Sequence, residues 1–382
     1  TVSYSINGNR NSANNWTLDG ADNVDRGSNL TLLAYPSVDA IAEFKTQRGT
    51  FSAEFGRSAS GQVNVITRSG TNAFHGTAYE FFRNNLLNAN SYLNNRNGIK
   101  RPVLRYNDFG YTLGGPVWIP KIYDGRNKTF FFFSQEFRRV ITYSTFTNLG
   151  VPTMAERAGN FGTNVVCASV SSTGTCNNAG TTQIDPTTFS PMAKAYLKDV
   201  YANVPEPSGT DGHTLLTNQR NVYNQRQEIV RIDQRFGNKV SGFFRFIDDK
   251  LPTVEPGGLF SGTGYPGVQT TSTNSPGRTY LGHLTYVVTP KLLIDVGYAY
   301  SSGAIVSDPT GQVLSANSPD IKPTLPFPVT LGRIPALTFL GGQGVGGFGP
   351  YRDYNHNHNI YGNISKTLGQ HSIRVGVTYN HY

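Results

Sequence analysis

The sequence predicts an all-β protein in which an irregular N-terminal unit precedes a long series of antiparallel strands. Three observations support this prediction. The 382 residues include 42 Gly, 21 Tyr and 23 Phe, a composition rich in turn formers and aromatic residues. From Ala73 onward apolar residues recur with a period of two. Between these segments, short connections alternate with long ones.

The first unit, residues 1–72, contains only short apolar elements and is not expected to build a core alone. Asn-rich sequence leads into residues 16–18 and the turn Asp19-Gly20; further elements follow at residues 38–44 and 63–66. The run 19–23 invites a calcium interpretation, but it lacks the Glu that ends the twelve-residue calcium loop. A plain Asx turn is the simpler interpretation.

The second unit shows sustained alternation between an apolar face and a small, polar or charged face. In residues 291–302, Val296 and Tyr298 alternate with Asp295, Gly297 and Ala299, and residues 106–115 and 371–382 follow the same rule. A strand needs this pattern when lipid lies on one side and water or a plug on the other. The aromatic run 130–133 near basic residues also suggests nucleobase stacking, but a lipid-facing stripe explains the alternation.

The lengths of the connections distinguish the two ends of each predicted strand. Links at 237–238, 289–290 and 369–370 are tight, whereas residues 84–104, 145–223, 251–276 and 303–354 are long and polar, and the link 117–127 is intermediate. Short turns at one end and long loops at the other are typical of outer-membrane barrels. About nine strands are predicted, near residues 74–83, 106–115, 129–144, 224–236, 239–248, 278–288, 291–302, 356–367 and 371–382.

Length and composition bound the assembly. No apolar run approaches the roughly 18 residues that a membrane helix needs, and the mean hydropathy is -0.36. A plugged transporter barrel has about 22 strands, so nine strands are expected to form only part of one. The chain begins Thr-Val-Ser-Tyr without an initiator Met or signal peptide. We therefore expect a fragment of a longer protein.

The run RGTFSAEFGRSASGQVNVITRSGTNAFHG, residues 48–76, resembles the end of the plug domain and the first barrel strand of TonB-dependent outer-membrane receptors, in particular the Oar-like branch. The resemblance continues patchily to the end of the chain. Two positions depart from the broad family: Lys45 stands where an acidic residue is usual, and Gln62 replaces a Gly. The plug-motif residues that match are Arg48, Gly49, Gly56, Gly61, Asn64 and Thr67.

The resemblance implies a two-part architecture: residues 1–72 as the C-terminal part of a plug, and residues 73–382 as the first part of a transmembrane barrel. Ser69, Gly70, Thr71 and Asn72 would form the joint. It also implies energised uptake of an unknown extracellular ligand through TonB and its inner-membrane partner proteins, in contact with outer-membrane lipid. A non-transporting surface barrel used in adhesion or assembly is the alternative, and a soluble β-rich enzyme or lectin is disfavoured by the polar alternate residues.

The remaining candidate sites are weak. Cys167 and Cys176 would form a short disulfide in an oxidising compartment, or remain two unrelated thiols. The net charge of +9 is scattered rather than clustered, which argues against nucleic-acid binding. Residues 342–347 satisfy G-x-G-x-x-G without a βαβ unit, and His356 and His358 share a strand face without a third metal ligand. Asp248 and Asp249 are expected on opposite faces. We predict no enzyme, catalytic residue, metal or cofactor.

Overall fold

The computed structural model describes residues 4–49, 51–52, 54–56, 60–96, 100–167, 171–173, 175, 180–258, 264–328, 330–338, 342–347 and 349–382. These residues form one small sheet, one large sheet and one short hairpin. In chain order the strands are β1 (Asn15–Leu18), β2 (Ala21–Asp22), β3 (Ile41–Arg48), β4 (Gly61–Thr67), β5 (His75–Asn84), β6 (Leu104–Pro116), β7 (Trp118–Ile119), β8 (Tyr123–Asp124), β9 (Thr129–Gly150), β10 (Thr214–Phe236), β11 (Val240–Lys250), β12 (Pro252–Pro256), β13 (Thr270–Asn274), β14 (Gly277–Thr289), β15 (Leu292–Thr310), β16 (Tyr351–Leu368) and β17 (His371–His381).

The small sheet contains β1 to β4 in the order β2-β1-β4-β3. Strands β1 and β4 run parallel, with Trp16 opposite Val63, and the tight turn at Asp19 and Gly20 sends the chain back along β2. Its buried residues Leu18, Val63 and Val65 pack with Phe132, Ile229 and Ile247 of the large sheet. The small sheet therefore shares its core with its neighbour, in line with the expectation that residues 1–72 build no core alone.

The large sheet is a curved antiparallel wall, which we define as β5, β6, β9, β10, β11, β14, β15, β16 and β17. Each of these strands pairs with the next in this order. The face that packs against the small sheet is called the inner face, and the opposite one the outer face. Between β6 and β9, the link of intermediate length contains the β7–β8 hairpin.

Alternation along the wall strands has the predicted sense. On β15, the outer-face residues Val296 and Tyr298 are 43% and 48% exposed, whereas Ala299 and Ser301 on the inner face are 1% and 2% exposed. On β9, Ser134 and Glu136 are buried under the small sheet, while the alternate aromatic residues Phe133 and Phe137 lie on the outer face. Lipid on one side and protein on the other account for both patterns.

The strands are longer than the sequence predicts at the end that carries the long connections. Strand β9 continues to Gly150, β10 begins at Thr214 and β15 continues to Thr310. The unpredicted hairpin β12–β13 follows β11 and precedes β14, with Pro252 and Pro276 close to the two breaks. It lies between the ends of β10 and β15. Apolar residues of these segments, such as Phe146, Leu149 and Leu215, are buried among the long connections and do not form one continuous apolar face. The sequence therefore shows no sustained period of two there.

The long connections pack together into one unit, which we call the cap: the described residues of 151–213, 257–269 and 311–350. Its core joins Tyr196, Val200, Tyr265, Val313 and Val345 from three connections. Helices α2 (Met154–Arg157) and α3 (Pro191–Asp199) lie here, α2 beginning with a Thr153/Glu156 capping box, and α1 (Tyr92–Arg96) lies in the 85–103 connection. Short 3₁₀ turns span Asn11–Ala13, Val38–Ala40, Asn85–Leu87, Pro186–Thr188, Tyr201–Asn203 and Gly311–Val313. In the described part of the chain, no helix is long and apolar enough to cross a membrane.

Candidate functional site: the contact between the small sheet and the wall

A buried carboxylate, that of Asp19, lies at the centre of this contact. Asp19 and Gly20 both adopt positive φ angles, 52° and 85°, which turns the β1–β2 connection toward the wall. The carboxylate accepts hydrogen bonds from the backbone N–H of Thr67 at 2.8 Å and from its Oγ1 at 2.9 Å. Asp19 therefore fixes the last residue of β4, directly before the predicted joint.

Two arginines of the wall complete this cluster. Arg245 Nη1 lies 3.0 Å from Asp19 Oδ2, and Arg231 Nη1 lies 3.4 Å from Oδ1. Arg231 also pairs with Asp233 at 2.8 Å and covers the Phe243 ring at 4.0 Å. Arg245 is 1% exposed and donates a further bond to Thr279. Because both guanidiniums are desolvated, their pairing with Asp19 is a condition for burying them at all.

A second contact lies at residues 33–37, which cross the inner face near the cap. The backbone N–H of Ser37 donates to Gln227 Oε1 at 2.6 Å, and its hydroxyl lies 3.3 Å from the Ser134 hydroxyl. At Gly277 a Cβ atom would collide with the carbonyl oxygen of Leu33. Glycine at this wall position thus permits the close approach of the two backbones.

A third contact joins the small unit to the last wall strands. Asn357 donates to the carbonyl of Val24 at 2.9 Å, and Arg374 Nη1 lies 2.7 Å from Glu54 Oε2. Tyr361 donates to the carbonyl of Asp19 at 3.4 Å. The small unit is therefore held at several separate points around the curve of the inner face.

The predicted joint, Ser69 to Asn72, lies at the end of the wall that carries the tight turns. A Cβ at Gly70 would approach the carbonyl oxygen of Gly115 to 2.8 Å, and Asn72 Oδ1 accepts a bond from the backbone N–H of Asn127 at 2.6 Å. A cavity of about 560 Å³ opens beside it, lined by the joint itself and by polar residues such as Asp233, Thr285 and His283. A continuous space thus borders the joint on the inner face.

The plug-motif residues differ in their contacts. Thr67 touches the wall, because Arg231 Nη1 donates to its carbonyl and hydroxyl oxygens, each at 3.1 Å. Asn64 bonds instead to Thr17, Gln62 and Gln47 within the small sheet. A Cβ at Gly61 would collide with Ile6, Gly49 has a φ of 82°, and a Cβ at Gly56 would meet nothing within 4 Å. Arg48 pairs in register with Gly61 inside the small sheet. The role of this motif stays a prediction.

Other sequence candidates fall elsewhere. Lys45 is exposed, and carboxylates that reach the wall come from Asp19 and Glu54 instead. Asp248 and Asp249 lie on opposite faces: Asp248 pairs with Arg278, and Asp249 is buried beneath the small unit. Residues 342–347 belong to the cap. Cys176 lies outside the described residues, so its pairing with Cys167 stays a prediction.

His356 and His358 lie on the outer face, bonded to Tyr300 and Tyr298. No group of three potential metal ligands occurs among the residues that the structure describes. In the run 19–23, the Asp19 carboxylate accepts from Thr67 and pairs with Arg245, so it serves the wall contact and not an Asx turn. Sequence reasoning missed Asp19, Arg231 and Arg245. The sequence signal that could have indicated them is the occurrence of arginines at strand positions that are predicted to face inward.

The cap forms a second candidate region at the far end of the wall. Tyr265 donates to the carbonyls of Gly150 at 2.6 Å and Gln343 at 2.8 Å, which ties two connections to the end of β9. Burial raises the pKa of Tyr201 to about 12 and also raises that of Tyr265, so both phenols stay protonated at neutral pH. A mostly apolar cavity of about 470 Å³ lies between α2, α3 and Leu337. The cap is thus pre-ordered around a ligand-sized recess.

Comparison with known proteins adds three findings. The family described as "Outer membrane beta barrel domain" matches residues 66–382. The TonB-dependent transporter Oar of Myxococcus xanthus is 31% identical over 129 residues, a match covering 31% of this chain and 12% of that protein. The ferric enterobactin receptor of Pseudomonas aeruginosa has a TM-score of 0.46 at 11% identity, covering 98% of this chain and 42% of that one.

The siderophore receptor PirA of Acinetobacter baumannii has a TM-score of 0.43 at 12% identity, covering 98% of this chain and 50% of that one. The chain therefore spans half or less of the length of these three proteins. The family match and the similarity to Oar confirm the resemblance predicted from residues 48–76.

Proposed function

The chain belongs to the family of outer membrane β-barrel domains and is located in the cell outer membrane, and from this premise we propose that it is part of a TonB-dependent receptor for energised uptake. The observation that carries the proposal is the buried Asp19 cluster with Arg231 and Arg245. It holds a separate N-terminal unit inside the curve of a membrane wall. A removable barrier is the function that this arrangement supports best.

In this proposal residues 1–72 are the later part of a plug and residues 73–382 the first part of the barrel. The joint at Ser69 to Asn72 connects them at the tight-turn end, which is the periplasmic end of such barrels. Force from TonB and its inner-membrane partners would act on the plug through sequence before Thr1. Beside the shared apolar core, the contact is hydrogen-bonded and ion-paired at several points. Such a polar share is typical of interfaces between units that move relative to each other.

The cap supports a receptor role at the opposite end. Three connections share one apolar core, so their loops present a fixed extracellular surface. The relative named TonB-dependent transporter supports an extracellular ligand of unknown identity, which would bind at this surface before the plug moves. The alternative is a non-transporting surface barrel for adhesion or assembly, in which the plug would stay in place.

A labelling experiment distinguishes these functions through Ser134, which is 1% exposed and lies under Ser37. Full-length Ser134→Cys protein would be expressed in cells grown in complex medium and treated with a membrane-impermeant maleimide. Uptake requires the plug to uncover this position, so we expect labelling in energised cells with TonB. Labelling should disappear in cells that lack TonB or whose proton gradient is collapsed.

An outward-facing cysteine on the cap side of the same wall, made by Tyr354→Cys at a position that is 60% exposed, serves as the control. Its labelling should be insensitive to TonB. Equal Ser134→Cys labelling with and without TonB would contradict energised plug movement and favour the non-transporting barrel.

A further inference from the structure

A compact group of tyrosine and histidine side chains lies on the outer face of the last three wall strands. We call it the Tyr–His patch: Tyr298, Tyr300, His356, His358 and His381. Tyr300 pairs in register with His358, and His358 pairs with His381. The rings of His358 and His381 lie 6.2 Å apart, and those of Tyr300 and His358 lie 5.0 Å apart. Three imidazoles thus share one small area of a membrane-facing surface.

The patch lies where the outer face changes from apolar to polar. On the tight-turn side of it come Val296, Ile360 and Val377, which are exposed on the outer face. On the cap side, Ser302 and Arg278 pair in register with each other, and Ser302 also pairs with His356. Because the apolar band of an outer-membrane barrel ends at the headgroup level, this border places the patch at the outer-leaflet headgroups.

Two hydrogen bonds set the chemistry that the patch offers. The Tyr298 hydroxyl lies 2.9 Å from His358 Nδ1, and the Tyr300 hydroxyl lies 2.7 Å from His356 Nδ1. With the phenol as donor, a neutral imidazole carries its proton on Nε2, and a protonated imidazole donates from both nitrogens. In both states Nε2–H is a donor that is not used by the tyrosine. The pairing therefore produces two adjacent donor groups.

The charges around the patch favour an anionic acceptor. Asp248 is paired with Arg278 at 2.6 Å, and Asp308 is paired with Arg352 at 2.6 Å. Asp248, which lies near this border, is thus neutralised by an arginine, and so is Asp308 farther along β15. The patch itself contributes only neutral or cationic groups. A metal ion is not favoured as the ligand, since no three potential metal ligands in the described part of the chain, including these histidines, are arranged so that they could hold one ion.

We propose that the Tyr–His patch binds the phosphate group of an outer-leaflet lipid. A phosphodiester at headgroup level carries oxygens that only accept hydrogen bonds, and it bears a negative charge. His356 and His358 are two residues apart on one strand face, at a spacing of about 6 to 7 Å, which lets them contact one phosphate or two neighbouring ones. Tyr298 and Tyr300 are positioning residues, because they hold the imidazoles through Nδ1.

Titration of delipidated full-length protein with lipid, read out by native mass spectrometry, tests the proposal. The probe lipid is phosphatidylglycerol, and the comparison lipid is diacylglycerol, which has the same acyl chains but no phosphate. We expect the double variant His356→Phe/His358→Phe to bind the first phosphatidylglycerol about tenfold more weakly than wild type, as loss of one hydrogen bond to a charged group predicts. Binding of diacylglycerol should change much less.

The control is His371→Phe, which alters an exposed histidine at the tight-turn end of β17. Its affinity for phosphatidylglycerol should equal that of wild type. A second variant, Tyr298→Phe/Tyr300→Phe, keeps the aromatic surface and should weaken phosphatidylglycerol binding by an intermediate factor. Unchanged affinity in both double variants, or an equal loss in His371→Phe, would overturn the proposal.

Discussion

Replacing Asp19 with Asn removes the charge at the centre of the contact while keeping the size of the side chain. The amide retains an acceptor for Thr67, but it no longer neutralises the wall arginines. Arg231 keeps Asp233 as a partner at 2.8 Å. Arg245 pairs with no other acid among the described residues, and it is 1% exposed. The substitution therefore leaves one buried guanidinium without a counter-charge.

Breaking a buried ion pair from one side costs about 3 to 5 kcal/mol. If that cost falls on docking of the small sheet, the undocked state should be populated about 100-fold to about 4,000-fold more, since about 1.4 kcal/mol corresponds to a factor of ten. The backbone amides of the small sheet should then exchange faster by the same factor. Arg245→Met removes the orphaned charge, so the double variant Asp19→Asn/Arg245→Met should be less destabilised than Asp19→Asn alone.

Hydrogen exchange of full-length protein in nanodiscs measures this directly at the β1 and β4 amides, in particular at Thr67. Asp25→Asn provides the matched control. The Asp25 carboxylate accepts bonds from Ser28, Leu30 and Thr31 within its own loop, so its loss should accelerate exchange there and spare β4. Unchanged β4 exchange in Asp19→Asn, or a double variant worse than the single one, would refute the reasoning.

Three further outcomes follow from the wall and the joint. On β17, Val377→Arg should lower the free energy of unfolding by about 2 to 4 kcal/mol because it places a charge at mid-strand on the lipid face. The same change at its inner-face neighbour, Thr378→Arg, should lower it little. Equal losses in urea titrations would contradict the assignment of the two faces. Thr378 is chosen as the inner-face control because a tightly packed inner-face residue would not be suitable. Ala299, for example, packs against Ala21 and Leu281. Gly277→Ala should destabilise docking of the small unit by about 1 to 3 kcal/mol, because the added methyl group collides with Leu33. Gly282→Ala is the control and should be neutral, because its Cβ meets no described atom within 4 Å. Hydrogen exchange of residues 33–37 should accelerate in the first variant and stay unchanged in the second. Full-length protein lacking its complete plug up to Gly70 should conduct ions across planar bilayers more than the intact protein does, and a folded but non-conducting variant would argue against a plug.

The sequence by itself determined the all-β class, the two faces of each membrane strand and the family resemblance. Alternation is a local property, because lipid contacts every second residue wherever a strand crosses the membrane. Val296 and Ala299 were therefore assigned to the correct faces without any knowledge of their neighbours. The tight turns at Gly237 and Gly369 were equally local, since a positive φ at glycine is a property of the turn.

The strand ends beyond the membrane were not determined in this way. Toward Gly150, Thr214 and Thr310 the apolar residues do not alternate regularly, and several of them pack into the cap core. Pairing with neighbouring strands is the cause of the extended structure there. The cap core was also invisible, because its apolar residues are scattered singly through polar connections and meet only when three connections fold together.

Only the tertiary structure decided the candidate site. Asp19 precedes Arg231 and Arg245 by more than 200 residues in the chain. No local sequence feature distinguishes an inward-facing arginine that meets a carboxylate from one that lines water. The same holds for Gly277, whose missing side chain matters because Leu33 passes over it. Such contacts depend on how the small unit sits in the curve of the wall, and this depends on long-range packing that no sequence period encodes.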